Sequence, residues 1–213
     1  MELMPFAAAA STPCATHAAL ALSLAAEFRP PLEEVDAVLD DLARPLLGAT
    51  HEPPAEQLAA CADVAAARLH TSDLTWSGIQ DLLLDRLVVA GAGHPLALAV
   101  ACVEAARRAG IELGIVGGSA GCFVAHPQLG EPLLLDVAAG RLIEAGGRTD
   151  GVGWQCSHQT AARLLNRIGE RADRTGNVAW ALRVAELRLQ LPFARPVLED
   201  LRHRLAHLRS RLN

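Results

Sequence analysis

The stretch from Gly91 to Asp136 leaves this chain few ways to fold. It reads GAGHPLALAVACVEAARRAGIELGIVGGSAGCFVAHPQLGEPLLLD. The turn Gly91-Ala92-Gly93-His94 runs into Pro95, and proline suits a first helical position because the N–H it lacks has no intrahelical partner there. Residues 95–109 then read as a helix that is apolar almost all round until Glu104, Arg107 and Arg108, which predicts burial. Gly110 supplies a C-cap. Residues 113–116 and 122–125 are short β runs on either side of Gly117-Gly118-Ser119-Ala120-Gly121. A turn at Gly130-Glu131-Pro132 leads to a further strand over 133–137. A helix N-terminus facing two adjacent strands can hold a nucleophile at the positive end of the helix dipole, with a base and its orienter on the sheet.

Both flanks read as helical. Residues 1–13 form a loose lead-in. Helices are expected over 17–28, which Arg29-Pro30-Pro31 ends, over 32–47 with an acidic outer face, over 55–69 and over 81–89. Thr71-Ser72-Asp73 caps a short segment carrying Trp76. From Ser157 three more helices follow, broken by Thr175-Gly176-Asn177 and by Pro192, in the helix–turn–helix rhythm of a tetratricopeptide-like hairpin. One such unit is an appendage rather than a solenoid. The division is a lead-in (1–16), a core with N-terminal helices (17–150) and a helical region (151–213).

Composition removes several function classes. With 213 residues, 51% of them hydrophobic and 20% charged, the chain can bury a sizeable core. A net charge of −5, no Tyr and only 3% aromatics argue against nucleic-acid binding, which needs clustered cations and stacking surfaces. No apolar run reaches about 18 residues, so no membrane span is expected. Five widely spaced cysteines without a CxxC fit free thiols in a reducing, cytoplasmic setting. Neither Cys156/His158 nor His203/His207 has an evident third ligand, so no metal and no cofactor is expected. Cys102 is a core residue on its spacing, and Cys122 and His126 lie too far apart along one strand for a direct pair.

Short motifs in the central stretch resemble the SirB family of transglutaminase-like proteins. The residues are Gly93-His94-Pro95-Leu96-Ala97-Leu98, Arg107-Arg108-Ala109-Gly110-Ile111, Ala120-Gly121-Cys122-Phe123 and Leu135-Asp136. The family has a Gly-Asn-Pro-Ile-Ser-Leu type turn, an Arg-Arg-x-Gly segment, a Pro-Gly-His-Phe strand and a strand ending in Asp. The acidic N-terminal helices and the C-terminal hairpin also follow its layout. The resemblance implies a mostly helical α+β fold, with a transglutaminase-like (papain-like) core built on a small antiparallel sheet, plus a helical hairpin.

In the wider transglutaminase-like superfamily a Cys at the core helix attacks an amide, a His on the next strand shuttles the proton, and an Asp on the following strand orients the His. Here the Cys position falls at or next to Pro95 and the His position is Cys122; only Asp136 is kept. The expectation is a degenerate transglutaminase-like protein that binds or regulates without catalysis. It would use a cleft around His94, Asp136, Gly93, Pro95, Gly118, Gly121, Cys122 and Phe123, or its helical surface. Its partner would be a protein or a small-molecule ligand, and its Ala-rich faces allow a homodimer without requiring one. The alternative is a cysteine-dependent amide hydrolase or acyl transferase with a swapped pair, Cys122 as nucleophile and His94 as base, oriented by Asp136. Against it, the strand order puts Asp136 closer to Cys122 than to His94, and a carboxylate beside a thiol weakens the nucleophile.

Overall fold

The computed structural model describes residues 3–72, 78–118, 121–130, 133–144 and 153–210. The expected Trp76 segment, the Gly146-Gly147 punctuation, and parts of the Ser119-Ala120 and Glu131-Pro132 turns lie outside them. The fold is α+β, helical for the greater part, around one small antiparallel sheet.

The N-terminal helices are α1 (Phe6–Ala10), α2 (His17–Ala26), α3 (Val35–Ala43) and α4 (Pro54–Arg68). The expected loose lead-in contains α1, held because Phe6 is fully buried and Ala9 and Ala10 nearly so. The single helix expected over 32–47 is shorter. It ends at Ala43, and a 3-10 turn over Arg44–Ala49 follows, because Pro45 has no N–H to continue the α ladder. Two short strands, β1 (His70–Thr71) and β2 (Ala92–Gly93), pair in parallel on either side of α5 (Leu84–Ala90).

The central helix α6 (Pro95–Ala109) is the axle of the molecule. Ala97, Leu98, Ala99, Val100 and Ala101 have no exposed surface. At roughly 1.5–3 kcal/mol for each large aliphatic side chain removed from water, its Leu and Val residues supply much of what holds the helix in place. Small residues between them let neighbours approach, and α2, α3 and α5 all pack on it. The helix ends at Gly110, left-handed at φ 89°, as its C-cap requires. Near this end Glu104, 4% exposed, accepts from both Arg107 (2.8 Å) and Arg108 (2.9 Å), and Arg108 reaches Asp36 and Asp40 of α3, both at 2.7 Å. Burial pushes the Glu104 carboxyl up, yet the two guanidiniums hold it below the ordinary carboxylate range.

The sheet has five strands in the order β6-β5-β4-β3-β7: β3 (Gly114–Gly118), β4 (Gly121–Ala125), β5 (Leu133–Asp136), β6 (Arg141–Glu144) and β7 (Gly153–Gln155). Three strands were legible in sequence. β6 and β7 were not, being short edge strands of four and three residues with little apolar alternation. β7 carries Trp154, which is 56% exposed and lies against Gly114 on the neighbouring strand. One sheet face, through Ile115, Val124 and Leu135, joins the main core. The other collects Val116, Ala125 and Leu134 with Phe123 and Ile143 in a small cluster of its own.

After β7 come α7 (Ser157–Thr175), α8 (Val178–Arg188) and α9 (Arg195–Ser210). Ala161, Leu164, Leu165 and Ile168 of α7, with Leu187 and Leu191, enter the same core as α2 and α6. The C-terminal hairpin therefore shares its first helix with the body of the protein.

Candidate functional site

Strand alternation decides which of the expected site residues meet. In β4 Cys122 packs against the main core and Val124 is buried within it, while Phe123 packs in the small cluster on the opposite face. β5 pairs antiparallel with β4 through Val124 opposite Leu135. Continuing that register sets Phe123 opposite Asp136 and puts both on the face away from Cys122. Asp136 is committed there to its own hairpin, its Oδ1 accepting from the Ala139 N–H at 3.1 Å. A register one residue different would have aligned Cys122 with Asp136. Of the cleft expected from sequence, Cys122 lies on the core face of the sheet, while Phe123 and Asp136 lie on the other face together with Gly121, whose added β-carbon would meet the Phe123 ring, and its cross-strand partner Gly118; Gly93, His94 and Pro95 stay at the start of α6.

His94 is the N-cap of α6. Its Nδ1 accepts from the Leu96 N–H at 3.2 Å, and its own N–H donates to the Asp81 carbonyl at 2.8 Å. With Nδ1 an acceptor, the neutral ring carries its proton on Nε2 and has no free lone pair for a substrate proton. Burial lowers its pKa to about 4, helped by the charges of Arg167, Arg171 and Arg163 and opposed by Asp81. His94 is neutral at pH 7 and stays so well into acid.

Cys122 makes no side-chain hydrogen bond among the described residues. Burial pushes its thiol up to about 11, and the nearby charge of Arg163 only partly offsets this. At pH 7 roughly one such thiol in ten thousand is ionised. No hydrogen bond joins Cys122 to His94.

What sequence reasoning missed is an arginine row on α7. Arg163, Arg167 and Arg171 are spaced four apart and lie on one helix face. Their charges all act on His94, so this face looks toward the start of α6. Arg171 is spent structurally. It and Asp81 form a buried two-pronged ion pair, with side chains 5% and 2% exposed, and Arg171 also donates to the Gly78 carbonyl at 2.5 Å. Arg167 pairs with Glu170 at 2.8 Å in the open.

Arg163 is different: no acidic residue among the described ones pairs with it. Its Nη2 lies 3.5 Å from the Gly121 carbonyl, and its Nη1 is sealed from water with no acceptor. The guanidinium rests on Gly117, where a β-carbon would stand 2.2 Å from Nη1 and 2.4 Å from the Gln155 amide nitrogen. Only glycine admits the pair there. The Gln155 Oε1 is also buried without a donor. Turning that amide over would bring an acceptor to the Arg163 side in place of a donor, but among the described residues the positive charge still has no acid beside it. Sequence offered one signal: a cation repeating every four residues along α7.

A cavity of about 570 Å³ opens here, its lining including Gln155, Cys156 and Arg163 together with Leu191, Pro192 and Phe193 of the α8–α9 connection. The remaining sequence candidates are structural. Cys102 is 4% exposed in the core, its thiol raised by the neighbouring Cys61 and by burial. His126 is 4% exposed, hydrogen-bonded to Gln57 at 3.1 Å and accepting from the Gln128 N–H at 3.2 Å. His158 meets the Ala10 carbonyl at 3.0 Å. Among the described residues no three of His, Cys, Asp and Glu gather as metal ligands, and no helix is long and apolar enough to cross a membrane. No protein-family model, no curated protein and no solved structure matches the chain.

Proposed function

We propose that this chain is a non-catalytic binding protein, a degenerate transglutaminase-like domain that works in the cytoplasm. Its ligand would lie in the cleft lined by Gln155, Cys156 and Arg163 and by Leu191, Pro192 and Phe193 of the α8–α9 connection. The observation that carries this reading is the parity of the two strands: Asp136 and Cys122 stand on opposite sheet faces, so the nucleophile–base–orienter relay has no path. The protonation states support it, since Cys122 is a neutral thiol and the acceptor nitrogen of His94 is engaged by its own helix. The succession of core helix and antiparallel strands is compatible with the transglutaminase-like assignment, and all five cysteines are unpaired, as a reducing compartment would leave them.

The test is the rate of alkylation of each cysteine against pH in the native protein, read by mass spectrometry. Cys14 and Cys156 are exposed and should label first. Cys122 should gain reactivity only as pH approaches about 11. A fast Cys122 with an apparent pKa below about 8.5 would mean a stabilised thiolate and would sink the non-catalytic reading.

A further inference from the structure

We infer that the cleft takes a small organic carboxylate with an apolar body, its carboxylate gripped by Arg163. This rests on the binding reading above and names its ligand class. Three observations converge. The first is charge: Arg163 has no acidic partner among the described residues, although acidic residues outnumber Lys and Arg in this chain by 24 to 19. Guanidinium does not neutralise by losing a proton, so a partly buried one gains from an anion brought to it.

The second is geometry. The guanidinium lines the cavity with Nη1 close against Gly117 and Nη2 toward the Gly121 carbonyl, beside the primary amide of Gln155. A planar fork with an amide alongside matches the two oxygens of a carboxylate. The other two arginines of the row are already matched, Arg167 with Glu170 and Arg171 with Asp81, so neither is needed by the ligand.

The third is volume and lining. About 570 Å³ holds a ligand far larger than an inorganic anion. Beside the polar Gln155, His158 and Gln159, the lining includes Leu191, Pro192 and Phe193, which suits a hydrocarbon or aryl body that an inorganic phosphate or sulfate lacks. No bond is made or broken, so binding is the whole event.

Isothermal titration of the full chain tests this, with 4-phenylbutyrate as probe and its neutral amide as control. The acid should bind and the amide should bind roughly tenfold more weakly or worse, the size expected for losing hydrogen bonds to a charged group. Arg163→Met should bring the acid down to the level of the amide, and Arg167→Gln should leave it unchanged. Ala194→Trp, at an exposed position on the cavity wall, should abolish binding without touching the core. Circular dichroism and melting temperature must match the parent for each variant. Cys156 lines the same cavity and is exposed, so its alkylation should slow when the acid is bound.

The inference is overturned if acid and amide bind alike, if Arg163→Met binds as the parent does, or if the acid fails to saturate below about 10 mM. It is also overturned, in favour of a protein partner, if a peptide ending in a free Phe carboxylate binds where phenylbutyrate does not. These results are separate from Cys122 reactivity. A reactive Cys122 with acid-selective binding would remove the non-catalytic reading and keep the carboxylate; an inert Cys122 without it would do the reverse.

Discussion

Replacing Arg171 by Ala should destabilise this protein by about 3–5 kcal/mol, the usual cost of stranding one member of a buried ion pair. Asp81 is 3% exposed, and among the described residues its carboxylate has, apart from Arg171, only the Ser72 hydroxyl, at 3.3 Å. The second prong, Nη2 to Oδ2, is 2.6 Å long, so both carboxylate oxygens lose a charged donor at once. The Gly78 carbonyl loses one as well. For a chain of this length that is a fall in melting temperature of roughly 6–20 °C, at 2–4 °C per kcal/mol. The damage should be local to the start of α6, because the Asp81 carbonyl accepts the His94 N–H at 2.8 Å. Urea unfolding followed by circular dichroism at pH 7.5 measures the loss, and a cycle with Asp81→Asn isolates the pair. The double variant Asp81→Asn/Arg171→Met should be more stable than Arg171→Ala alone, since it leaves no unpaired charge in the core. The reasoning fails if Arg171→Ala costs under about 1 kcal/mol, or if the two single losses simply add.

Two further outcomes follow from the same packing. The folded-state pKa of His94 is about 4 against an ordinary 6.5, so below pH 6.5 the unfolded chain takes up a proton that the folded chain refuses. Stability is full above pH 6.5 and should fall by about 3 kcal/mol as pH drops toward 4. His94→Asn keeps an N-cap acceptor and should flatten most of that slope in urea titrations at several pH values, with His17, also lowered by burial, leaving a residue; an unchanged slope would clear His94. Gly140→Ala should cost more than about 1 kcal/mol, because φ is +59° and the new methyl would stand 2.6 Å from the Ala66 α-carbon of α4. Thermal melts check it, and a neutral result would mean that the β5–β6 turn can lift off α4.

Much of the scaffold was legible in the chain. Pro95 and Gly110 bracket α6 at the residues expected, because each acts through its own backbone geometry and needs no partner. β3 to β5 announced themselves as apolar runs between glycines. The helix over α1 was missed because a five-residue Ala-rich segment has no period to read, and it exists only because Phe6 finds a pocket. β7 was missed because three residues including an exposed Trp make a strand only when β3 offers its edge.

The site divided along the same line. Sequence by itself settled that Pro95 opens the central helix directly after His94 and that Cys122 lies on a following strand, since these are identities at positions along one chain. That the His94 side chain caps α6 came from the structure. Tertiary structure decided which side of the sheet each residue faces. Register between strands is a relation between distant segments, and one step of it moves Asp136 from beside Cys122 to the far face. That Arg163 has no acidic partner among the described residues was likewise invisible in sequence, because the partners of a cation on a helix come from distant segments.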